Sequence, residues 1–157
     1  MEFLDLVQEQ DEKIQKLLLE LPALITLYGV NHDGKINKRE KEAVAHLLRV
    51  DTYNSDAFLQ SYYKQVEGQF MADIERYDES LSLDEDERES TIKEMIAPAM
   101  QFVNGLRKDR VKLVKDSLMG FVKHVHRANT SFWEEIILPF ISDYINEESE
   151  MDDPFGK

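Results

Sequence analysis

The chain has no cysteine among its 157 residues. That absence excludes disulfides, thiolate metal sites and cysteine nucleophiles together. Glycine and proline are scarce, at six and four, and no glycine-rich run exists that would cradle a phosphate. No apolar stretch approaches the ~20 residues needed to span a bilayer. No segment alternates apolar with polar residues, or strings β-branched residues together, as a strand does. Positive charge is also short: 19 Lys and Arg stand against 32 Asp and Glu, for a formal net charge of -13. Such a surface repels phosphate backbones and anionic lipid. Nucleic-acid binding and membrane insertion are therefore not expected, whereas basic protein partners and divalent cations are compatible. Glu2 and Asp5 occupy the place where a secretory leader carries basic residues, so a cytoplasmic protein is expected.

What is present is helical patterning. The expectation is a single all-α domain over residues 1–146, a compact bundle of about six or seven helices, followed by a disordered acidic tail at 147–157. A chain of this length buries roughly 70% of its extended surface and needs no metal to fold. Leu4, Val7, Ile14, Leu17, Leu18 and Leu21 recur at helical spacing, and Pro22 predicts a break or kink before a short second helix. Val44, Leu47 and Leu48 mark a third helix ending near Val50. Asn54 or Ser55 is expected to cap a long helix whose stripe runs from Phe58 to Tyr77, with Gly68 tolerated on its surface. An acidic loop at 78–89 precedes a helix with Ile92, Met95, Ile96, Ala99 and Val103. Pro98 predicts a kink or restart inside it. A last helix opens at Thr130 or Ser131 and buries Trp133.

The most specific stretch is Asn31-His32-Asp33-Gly34-Lys35-Ile36-Asn37-Lys38-Arg39-Glu40. Asn37 with Glu40 three residues later fits a capping box, and Asp33-Gly34 is turn chemistry. The same oxygens, on Asn31, Asp33, Asn37 and Glu40, fall at ligand positions of a twelve-residue calcium loop, with Gly34 at the glycine position. Position one of that loop is Gly29, where an EF-hand carries aspartate, and only two carboxylates are present. No cofactor is required. The expectation is a helix start, with weak binding of calcium or another divalent cation as the functional alternative.

Residues 32–44 resemble the signature of TerB-like domains, the tellurite-resistance B family. The resemblance implies a compact helical fold with an internal pseudo-repeat, whose degenerate second copy would be His126 to Glu135. It also implies an acidic face linked to divalent metal, with Asp33 and Glu40 as the residues to inherit it. The function it implies is that of a non-enzymatic interaction module, modulated by a weakly bound divalent cation, that binds a protein partner or a second copy of the chain. The alternatives are a degenerate EF-hand-like calcium-binding protein and an enzyme with an unrecognised carboxylate site.

Charge reverses along the chain. From Arg107 to Arg127 there are seven Lys or Arg and two Asp. Phe121 is the one aromatic within this span and belongs to its apolar side, so the basic residues lack the interleaved aromatics that nucleic-acid platforms require. This stripe is expected to pair with the chain's acidic segments, 78–89 or 147–153. Its alternative is a partner-docking face carried by Arg110, Lys112 and Lys123. His124 and His126, two apart on a helix, point in opposed directions and cannot share an ion. His46 has no second ligand at a useful spacing.

Overall fold

The computed structural model describes residues 1–29, 36–54 and 56–125, with the backbone alone at 29, 51, 53, 54 and 121–125. The expected last helix with Trp133, the second pseudo-repeat copy and the tail lie outside the described residues. Within them are seven helices and no strand: α1 (Phe3–Gln8), α2 (Glu12–Gly29), α3 (Lys38–Asn54), α4 (Ala57–Glu67), α5 (Phe70–Ser80), α6 (Glu85–Asn104) and α7 (Lys108–Val125). No described helix is long and apolar enough to cross a membrane.

α2 is the axis of the bundle. Every residue from 20 to 28 is buried, and a helix apolar on all sides must be covered on all sides. α4, α5, α6 and α7 pack round it, while α3 lies against α4 and α7, and α1 chiefly against α4. The chain does not break at Pro22 as the sequence suggests. It breaks at Glu9–Asp11, where the Asp11 carboxylate accepts the Ile14 N–H at 2.9 Å and starts α2. A proline inside a helix leaves the carbonyl four residues earlier without its N–H donor. Here that carbonyl belongs to Leu18, and the Tyr62 hydroxyl of α4 donates to it at 2.6 Å. The Thr26 hydroxyl donates in turn to the Pro22 carbonyl at 2.8 Å. The proline is thus absorbed by hydroxyls from outside the backbone ladder.

Other boundaries also move. The expected long helix from residue 55 to 77 is two helices, because the chain leaves α4 at Gly68 and restarts at Phe70. The division lets α5 turn Phe70 and Ile74 into the core independently of Phe58, Tyr62 and Val66 on α4. Asp56, not Asn54 or Ser55, caps α4 by accepting the Phe58 N–H at 2.8 Å. α3 continues past Val50 to Asn54, and α6 passes Pro98 without a restart. The acidic loop shrinks to residues 81–84, since α5 runs to Ser80 and Asp84 caps α6 through the Glu87 N–H at 2.9 Å.

Candidate functional site

At the start of α3 the capping box is complete. The Glu40 N–H donates to Asn37 Oδ1 at 2.8 Å, and the Asn37 N–H donates to Glu40 Oε1 at 3.0 Å. Asn31 and Asp33, the other two candidate cation ligands, lie outside the described residues. The described half of the loop fits a helix start better than a bidentate cation ligand. One Glu40 oxygen is already engaged with backbone, and a cation needing both would have to displace that bond. No three His, Asp or Glu side chains converge as a metal-sized group among the described residues.

The residue before the cap is tied inward. Ile36 is buried, and its N–H donates to Asp78 Oδ1 at 3.4 Å. The same oxygen accepts from Arg88 Nη2 at 2.6 Å. Asp78 therefore links α5, α6 and the chain entering α3. Arg88 is 0% exposed, and its Nε and Nη1 have no hydrogen-bond partner.

A half-open groove of about 350 Å³ lies where α2, α5 and α6 meet. Ile14, Leu17, Met95 and Pro98 give its apolar lining, and Lys13, Lys16 and Glu94 its charged margin. Ile14, Leu17 and Met95 are only partly covered by the fold. Glu20 and Tyr77 also line it. The Glu20 carboxylate is 3% exposed and fully engaged. Oε2 accepts from Arg76 Nη2 at 2.6 Å and pairs with Lys16 Nζ at 3.1 Å, while Oε1 accepts from the Tyr77 hydroxyl at 2.6 Å. Arg76 Nη1 reaches buried Asp73 at 3.2 Å, and the guanidinium stacks over the Tyr77 ring at 4.6 Å. Burial, reinforced by the bond to Glu20, pushes the Tyr77 hydroxyl above its usual range. Three donors on one carboxylate make a latch between α2 and α5.

The basic stripe does not form one open face. Arg107 pairs with Asp109 at 3.0 Å, and Lys112 with Asp116 at 2.8 Å, both in exposed positions of the same segment. The bond from Arg107 holds the Asp109 carboxyl below its usual range. Arg110 stacks over the Phe58 ring at 4.7 Å, toward α4 instead of away from the bundle. Lys123 is described by its backbone alone. Lys115 is 2% exposed. Its amine has no hydrogen-bond partner, and burial lowers its pKa to about 7. Its place was visible in the pattern, since it follows Val111 by four and precedes Leu118 by three on the buried stripe. Glu20, Asp78 and Arg88 stand at the same spacing from buried Leu24, Ile74 and Ile92, but nothing in that spacing names the partners they meet.

The chain matches no family model, no curated protein and no solved structure.

Proposed function

We propose that the chain is a non-enzymatic interaction module of the TerB-like kind, and that it docks a protein partner in the groove between α2, α5 and α6. The observation that supports this is the set of partly covered apolar side chains Ile14, Leu17 and Met95 in a cavity framed by charge. Side chains of a partner would complete what the fold leaves open, and apolar anchors inside a polar rim are how such surfaces bind. The net charge of -13 steers a basic segment toward this molecule. A second copy of the chain is the alternative occupant. A divalent cation acts in this reading only as a weak modulator at Asp33 and Glu40, in competition with the capping box.

The test is a nuclear magnetic resonance titration with two amphipathic helical peptides, one leucine-lysine and one leucine-glutamate. The basic peptide should shift Ile14, Leu17 and Met95 saturably, and Met95→Lys should abolish the effect. Shifts scattered over the surface, or equal responses to both peptides, overturn the reading. Calorimetry with calcium, magnesium and zinc addresses the cation. Any binding heat should vanish in Glu40→Gln if that carboxylate is a ligand, and a persisting heat removes it from the site.

A further inference from the structure

Among the described residues, α1 is held on the bundle by apolar contact alone. Its capping bond is internal, from the Glu2 N–H to Asp5 Oδ2 at 2.8 Å. Its turn into α2 is tied locally, by Gln10 Nε2 to the Leu6 carbonyl and the Gln10 N–H to the Val7 carbonyl. No hydrogen bond or ion pair joins an α1 residue to α4 or α6 among the described residues. α2 does not depend on α1 for its start, because Asp11 caps it independently.

What α1 does contribute is Phe3 and Val7, four residues apart on one face and both fully buried. The Phe3 ring meets Tyr62 edge-on at 4.7 Å and lies tilted at 5.7 Å from Phe58 and 6.4 Å from Phe102. Anchors at i and i+4 pressed into an apolar slot are the signature of an amphipathic helix docked in a groove. Six residues are too few to hold a helix alone in water, so the slot imposes the helical form on this segment. Arg110 sits at the rim, stacked on Phe58, and α1 carries an acid, Asp5, in its first turn.

We propose that the slot walled by Phe58, Tyr62 and Phe102 is a helix-docking site that α1 fills in cis, and that it accepts in trans a partner's short amphipathic helix. The occupant has an aromatic residue, a branched aliphatic four positions later and an acidic first turn, because α1 itself defines that fit. α1 then acts as a plug whose release sets the apparent affinity, since only the open fraction can bind. This site is separate from the α2–α5–α6 groove and stands or falls independently of it.

The probe is a fluorescein-labelled peptide of residues 1–10, followed by anisotropy against the full-length chain. It should bind Phe3→Ala at least about ten-fold more tightly than wild type, because the plug is weakened. The same peptide with its phenylalanine replaced by alanine should not bind. Equal affinity for wild type and Phe3→Ala, or no saturable binding to a Phe3→Ala chain that keeps its helical circular dichroism, overturns the proposal. Val7→Ala is the second variant, should Phe3→Ala fail to fold. Saturating peptide should raise its melting temperature, and an unchanged melting temperature overturns the proposal equally.

Discussion

Lys115 costs the fold stability at neutral pH. Its amine is buried without a partner, and its pKa falls from 10.5 to about 7. Between those values the unfolded chain binds the proton and the folded chain releases it, so stability contributed at this position rises with pH. Below pH 7 both states are protonated and the desolvation cost is present in full. Lys115→Met should therefore be more stable than wild type at pH 6 by on the order of a few kcal/mol. The difference should close toward pH 10, as followed by urea unfolding of both proteins across that range. A pH-independent difference would show that the amine is solvated. The opposite sign is expected at Asp78. Asp78→Ala strands the fully buried Arg88 guanidinium and should cost about 3–5 kcal/mol, readable as a fall in the urea midpoint. The helical spacing places both side chains on buried stripes, but the partners they have or lack could not be read from the chain beforehand. What a buried charged side chain meets depends on elements distant in sequence, as with Asp78 and Ile36, 42 residues apart.

Local bonds, by contrast, were legible. The Asn37–Glu40 box needs only two residues three apart, and it forms as the spacing requires. Glu40→Ala should cost about 1 kcal/mol and Glu40→Gln much less, because glutamine keeps the acceptor. Equal melting temperatures for all three proteins would remove the box from the account of α3. Pro22 taught the reverse lesson. Its helix-breaking tendency is local, but Tyr62 offsets it from another helix, and no pattern around Pro22 announces that hydroxyl. Tyr62→Phe should leave the Leu18 carbonyl buried and unpaired, at about 1–3 kcal/mol. In a Pro22→Ala background the restored N–H should take over that carbonyl, so the same change should cost markedly less. A double-mutant cycle with no coupling would refute the exchange. Gly68 is exposed, as its place opposite the apolar stripe implies, but the helix expected to run through it ends there. Periodicity continues smoothly from α4 into α5, whereas α4 packs chiefly on α3 and α1 and α5 chiefly on α2.

At the scale of the whole molecule, the all-helical class followed from the absence of strand patterning, and the order of packing did not. The charge reversal after Arg107 was expected to meet the chain's acidic segments at 78–89 or 147–153, with a partner-docking face as the alternative. Its described members are largely engaged nearby, by Asp109, Asp116 and the Phe58 ring. Exposed pairs of this kind are individually worth little and are screened within about 8–10 Å at physiological salt. Scattering mass and shape should therefore stay the same from low to high salt. A mass that falls with salt would make the stripe a docking face between copies, and charge reversal at Arg110, Lys112 and Lys123 would then be the next measurement. The central position of α2 carries a further consequence, for synthesis. Chains emerge from the ribosome N-terminus first, so α2 appears with its apolar surface uncovered on every side. The helices that enclose it, α4 through α7, are all made later. Until α7 is out, part of that apolar surface stays open to water, and exposed surface of this kind promotes aggregation. Truncations that end before α7 should accordingly aggregate instead of folding in part.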